Sequence, residues 1–103
     1  MAEVVWTTRA QADLAEIAEY HAAQSPGYAE ALVRRLLGAV GRLDAFPRSG
    51  RVHPEIGDQA IREIVYRTYR IIYLHDEAED RVEILSVFHS SRQFGELPGG
   101  TPS

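Results

Sequence analysis

The chain contains neither cysteine nor lysine. The first absence removes a disulfide framework, a thiol nucleophile and any cysteine-based metal site. The second leaves every permanent positive side chain to eleven arginines, planar donors suited to phosphate and carboxylate partners. Long apolar runs are missing as well, and no stretch approaches the ~20 residues needed to span a bilayer. Glu3 and Arg9 flank only a short apolar run, so the opening lacks a signal-peptide pattern. A soluble cytoplasmic protein with no membrane partner is expected. There is no Gly-rich phosphate loop and no serine nucleophile elbow. His21, His53, His75 and His89 lack metal-ligand spacing, so neither a metal nor a cofactor is expected.

What is present fits one small globular domain. The chain has 103 residues, 45% of them apolar and 25% charged, which suffices for one core. Its net charge of -4 argues against non-specific nucleic-acid binding. The charge is uneven. Seven arginines fall between residues 47 and 92, while acidic residues gather in the first helical segment and in the run Asp76-Glu77-Ala78-Glu79-Asp80. A strand-rich block carrying several arginines suggests a docking surface for an anionic partner.

Glu3-Val4-Val5-Trp6 reads as a first strand. Thr7 or Thr8 can cap the helix that follows, in which Ala10, Leu14, Ile17, Ala18 and His21 mark one face. Asp13, Glu16 and Glu19 lie on other faces and are expected in solvent. Ser25 and Pro26 form a second start signal. Ala29, Leu32, Val33, Leu36, Val40 and Leu43 then continue at helical spacing towards Phe46, where Pro47 stops the helix. The helices, over 9–23 and 26–46, form an antiparallel hairpin. Residues 47–60 read as a loop rich in Pro and Gly, with Gly50 expected at positive φ. Strands are predicted at about 61–67, 69–75 and 81–89, joined by a tight turn at Thr68 and a hairpin at 76–80. The order β-α-α-β-β-β is α+β, an antiparallel sheet with the helical hairpin on one face. Residues 1–94 form the domain and 95–103 a loose tail. Leu14, Ile17, Leu43, Phe46, Ile71, Ile72, Ile84, Leu85 and Val87 are the expected core. Tyr69 and Tyr73 should share a face. His53 and His75 are expected at the surface, and His21 at the edge of its helix stripe.

Several spaced motifs resemble the ParE/RelE superfamily of toxins from type II toxin–antitoxin modules, ParE most of all. They are Trp6-Thr7-x-x-Ala10-x-x-Asp13-Leu14-x-x-Ile17-x-x-Tyr20, Leu43-x-x-Phe46-Pro47-x-x-Gly50-Arg51, Arg62-Glu63 and Tyr69-Arg70-Ile71-Ile72-Tyr73. The series closes with Val82-x-Ile84-Leu85-x-Val87-x-His89-x-x-Arg92. A ParE-like protein is implied to inhibit DNA gyrase, without active-site chemistry, and to be neutralised by a cognate ParD-like antitoxin. Arg67 and Arg92 are then candidates for target binding. Tyr20, Tyr28 and Leu37, which lie off the inner helix stripes, are candidates for antitoxin binding. A RelE-like protein is implied to be a metal-independent, ribosome-dependent mRNA endoribonuclease. Glu55, Arg70 and His89 stand at broadly corresponding places, as base, phosphorane cation and acid. That reading requires Arg70 and His89 on one sheet face, which depends on the register of the last hairpin. A third reading is a non-toxic remnant that still binds antitoxin.

Overall fold

The computed structural model describes residues 1–91. The expected tail at 95–103, the domain boundary at 94 and the candidate Arg92 lie outside the described residues.

Strand β1 (Glu3–Trp6) leads into helix α1 (Thr8–Ala22). Thr7 makes the junction. Its hydroxyl accepts from the Ala10 N–H at 3.2 Å and donates to the Ile84 carbonyl at 2.6 Å. One side chain thereby caps a helix and ties it to the sheet, a cap alone contributing about 1 kcal/mol. Helix α2 (Pro26–Gly41) starts on the Ser25 cap, which accepts from the Tyr28 N–H at 3.2 Å, with Pro26 in the first turn. A 3-10 turn (Arg42–Asp44) then tightens the chain before Pro47. The second helix is therefore shorter than its apolar spacing suggests. Leu43 remains buried, but Phe46 is 64% exposed. Once the turn tightens, Phe46 falls out of step with the stripe through Leu36, Val40 and Leu43, and it is not a core residue.

Strands β2 (Arg51–Val52), β3 (Ile61–Tyr66), β4 (Tyr69–Asp76) and β5 (Arg81–His89) complete a sheet in the order β1-β5-β4-β3-β2. The α+β plan is the expected one, with two additions. Strand β1 pairs parallel with β5, and the loop at 47–60 contributes the two-residue strand β2. Between β3 and β4, Arg67 adopts φ 54°, and Asp80 before β5 adopts φ 51°. Gly50 is needed for proximity and not for positive φ. A Cβ there would lie 2.6 Å from the Tyr73 hydroxyl oxygen and 2.7 Å from the Glu63 carbonyl oxygen.

The main core lies between the hairpin and one sheet face. It contains Leu32, Leu36, Val40 and Leu43 from the helical side and Tyr69, Ile71, Tyr73, Val82, Ile84 and Val87 from the strands. Each large side chain buried there contributes roughly 1.5–3 kcal/mol. Leu14 and Ile17 pack at its margin. On the outer sheet face, Ile72 and Phe88 are buried with Ile61 and Leu85 against them.

A β-bulge decides the rest. Ile72 pairs with Ser86 but Tyr73 pairs with Ile84, so Leu85 is the extra residue on β5. Before the bulge Val82 and Ile84 point to the helices; after it Val87 does. The bulge is held from α1. Asp13 Oδ2 accepts from the Ser86 hydroxyl at 2.9 Å and from the Val87 N–H at 3.0 Å, while Oδ1 accepts from Arg9 Nε at 3.1 Å. Asp13 is thus not a solvated residue; its side chain is 12% exposed.

Candidate functional site

Two polar constellations stand on opposite sides of the sheet. The outer one is built on β2, β3 and β4. Glu63 is fully buried and pairs across the strands with Arg51, whose Nη2 lies 2.9 Å from Oε2, and with Arg70, whose Nε donates to Oε1. Burial alone would raise the Glu63 carboxyl. The hydrogen bonds from Arg70 and then Arg51, with their charges, outweigh it and hold the group below the ordinary carboxylate value. Glu63 in turn raises Arg70, and the charge of Glu55 adds slightly to that effect. The Arg70 guanidinium also lies 5.5 Å from the centre of the Phe88 ring. Beside this group, Arg62 Nη1 donates to the Gly50 carbonyl at 2.8 Å. Tyr73 donates to the Pro47 carbonyl at 2.8 Å and accepts from the Gly50 N–H at 3.0 Å. These arginines are held by acceptors within the chain.

The second constellation lies where the hairpin meets the ends of β4 and β5. A cleft of about 650 Å³ opens there, lined by Glu16, Tyr20, His21, Tyr28, Tyr69 and His89 among others. Asp13, Glu16, Ile17 and Tyr20 reach it from one face of α1, at the spacing of successive helical turns. The rings touch edge to face. His21 lies 5.1 Å from Tyr20, 5.2 Å from Tyr28 and 6.3 Å from Tyr69, and Tyr69 lies 5.7 Å from His89. His21 Nε2 and the Tyr69 hydroxyl share a 2.7 Å hydrogen bond. Burial, then the neighbouring Tyr28 and Tyr20, push the Tyr69 phenol up, so it stays protonated at neutral pH. His89 Nδ1 accepts from the Ser91 N–H at 3.1 Å.

The register separates two candidate residues. Tyr69 pairs with His89 and Arg70 with Phe88, so Arg70 projects on the outer face and His89 on the helix side. Glu55 is exposed in the loop after β2. Arg70 and His89 do not converge. Tyr20, Tyr28 and Leu37 are 69%, 48% and 44% exposed. Arg67 stands exposed in the β3–β4 turn, 5.8 Å from the Tyr66 ring centre. His75 lies near the far end of β4, half-buried. His53 is fully buried and not at the surface; its Nδ1 accepts from the Glu55 N–H at 3.2 Å, which fixes the loop from inside. Among the described residues, no group of three or more His, Asp or Glu side chains converges as a metal site would, and no helix is long and apolar enough to cross a membrane.

Sequence reasoning missed Asp13, His21 and Tyr69 as members of this site. The helical spacing of Asp13, Ile17 and Tyr20 was a usable signal; the pairing of His21 with Tyr69, 48 residues apart, had none.

Residues 4–94 match the family described as ParE toxin of type II toxin–antitoxin system, parDE. Toxin RelE2 of Caulobacter vibrioides is 35% identical over 92 residues, covering 89% of this chain and 99% of that protein. Among solved structures, one of the chromosomal ParDE toxin–antitoxin system of P. aeruginosa superposes with a TM-score of 0.72 at 20% identity, covering 86% of this chain and 96% of that one. The RelBE2 toxin–antitoxin complex of Mycobacterium tuberculosis gives 0.57 at 26% identity, covering 85% and 96%. The chain belongs to the ParE toxin family of type II toxin–antitoxin systems.

Proposed function

We propose that this member of the ParE toxin family inhibits DNA gyrase in the cytoplasm and is neutralised by direct binding of a cognate ParD-like antitoxin. The observation that carries the choice of target is the division of Arg70 from His89 by the sheet. General acid–base cleavage of RNA needs its groups around one scissile phosphate, and here the guanidinium is engaged with Glu63 on the outer face. A toxin that acts through a surface has no such requirement. Arg67, exposed in the turn at positive φ, is the described residue that best suits contact with the target, and Arg92, outside the described residues, is the second candidate. The antitoxin half of the reading is supported by Tyr20, Tyr28 and Leu37, which stay exposed on the hairpin. A disordered segment that folds on binding would cover them, burying more than the ~1,600 Å² of a standard interface.

The test is gyrase supercoiling measured beside ribosome-dependent cleavage of messenger RNA, with purified chain and with His89→Gln. The expected result is inhibited supercoiling by both proteins and intact message. Cleaved message with the parent, lost in His89→Gln, together with unaffected supercoiling, would replace this reading with the endoribonuclease. Loss of both activities in a folded chain that binds antitoxin would identify the non-toxic remnant.

A further inference from the structure

The tyrosine–histidine cleft has an electrostatic character opposite to that of the rest of the strand-rich half. The chain holds eleven arginines, yet no arginine among the described residues lines this cleft. Its walls are phenol and imidazole rings, and the faces of the phenols carry the negative side of the aromatic quadrupole. Carboxylates stand at its edge. Asp13 is satisfied by Arg9, Ser86 and Val87, but Glu16, one turn before Tyr20, forms no ion pair among the described residues. Glu19 follows on the same helix, also without an ion pair there. Glu19 lies in the last turn of α1, which ends at Ala22, where the helix dipole is negative and carboxylates are unfavourable unless a cation comes near; Glu16 stands about one turn further back. Exposed aromatic faces, an uncompensated carboxylate and the negative end of a helix all favour the same occupant.

We propose that the cleft receives one arginine side chain projected by the antitoxin, its guanidinium lying against the exposed faces of Tyr20 and Tyr28 and paired with Glu16. A guanidinium fits better than an ammonium. It is planar, weakly hydrated and stacks on phenol rings, and it can meet a carboxylate through two parallel hydrogen bonds. The inference rests on the antitoxin reading only for the identity of the peptide that carries the arginine. It adds a basic anchor to a partner otherwise expected to present acidic groups to the toxin's own arginines.

The probe is N-acetyl-arginine amide, with N-acetyl-citrulline amide as its neutral isostere, titrated into the full chain while the tyrosine ring protons are followed by NMR. Saturable shifts confined to Tyr20, Tyr28 and Tyr69 are expected with the arginine probe, and binding about tenfold weaker with citrulline. Glu16→Gln should weaken the arginine probe about threefold and leave citrulline unchanged. Equal binding of both probes, shifts outside the cleft, or no saturation up to the solubility limit would overturn the site. A second arm repeats the titration on the antitoxin complex, where the arginine probe should no longer shift these rings. If the complex forms and the probe still binds, the proposed occupant is wrong while the antitoxin reading stands. If no complex forms, the antitoxin reading fails and the cation site stands on the arginine–citrulline difference.

Discussion

The outer cluster around Glu63 and the cleft around His21 use similar numbers of polar and aromatic side chains to opposite ends. In the outer cluster the buried carboxylate is fully engaged. Glu63 accepts from Arg51 and Arg70, while on the helix-side face of the same strands Arg62 donates to a loop carbonyl and Tyr73 both donates and accepts. In the cleft, two tyrosines stay exposed and Glu16 makes no ion pair among the described residues. In a sequence, arginine and glutamate suggest chemistry, while tyrosine and histidine on an apolar stripe suggest packing. Here the charged residues hold β2, β3 and β4 together, and the aromatic ones form a surface.

The contrast breaks most severely at Glu63. Glu63→Gln removes the charge that compensates Arg70, whose side chain is only 15% exposed. Removing one partner of a buried pair typically costs about 3–5 kcal/mol. Arg51 reaches solvent, so a loss near about 3 kcal/mol in chemical denaturation is expected. The pH dependence has a definite sign. The folded Glu63 carboxyl titrates below its unfolded value. Its contribution is therefore complete above an unfolded pKa of about 4.3 and is lost as the pH falls through the lower, folded value. The parent should lose stability in that acid window more steeply than the variant. An unchanged denaturation midpoint would show that the cluster is not structural.

Asp13, which lines the cleft, also holds the bulge on β5. With Asp13→Ala, the Ser86 hydroxyl and the Val87 N–H lose their acceptor, which costs about 2 kcal/mol and loosens the bulge at Leu85. The specific readout is the register of β5. The Tyr69–His89 backbone contact in NMR should weaken or shift by one residue. A destabilised variant with the parental register would mean that the bulge forms without its α1 anchor.

That bulge also explains what could be read without coordinates. The α+β order, both helix caps and the stripe Leu32, Leu36, Val40, Leu43 follow from local periodicity and cap chemistry, which neighbouring residues determine. Whether Arg70 and His89 share a face does not. A regular strand from Val82 would have sent His89 outwards with Arg70, and one inserted residue reverses every side chain beyond it. The insertion is stabilised by Asp13, 74 residues away from Val87. Phe46 and Gly50 failed for similar reasons. Phe46 depends on where α2 tightens, and Gly50 on the approach of Tyr73 from β4.

Arg67 offers a smaller effect of the opposite sign. A residue with a Cβ at φ 54° is strained by about 1 kcal/mol. Arg67→Gly relieves that strain and should raise stability by up to about 1 kcal/mol, less whatever the contact with Tyr66 contributes. Under the gyrase reading it should also weaken growth arrest at matched expression, because an exposed guanidinium is lost. A variant that is more stable and fully toxic would remove Arg67 from the target surface.

The smallest expected effect on stability belongs to Leu37. It sits on the side of α2 away from the buried stripe, 44% exposed, with open space around the adjacent Gly38 and around Gly41 one turn on. Leu37→Ser gives up little packing and introduces a hydroxyl that water can satisfy, so the change in unfolding free energy should stay within about 0.5 kcal/mol. Antitoxin affinity is another matter. A leucine covered by a partner on this open stretch of helix would lose about 1–2 kcal/mol of burial, or roughly tenfold in Kd. Titration calorimetry on matched, folded proteins separates the two quantities. A tenfold loss of affinity with unchanged stability marks the outside of α2 as part of the antitoxin interface. Equal affinity would confine that interface to the cleft end of the hairpin, where Tyr20 and Tyr28 are.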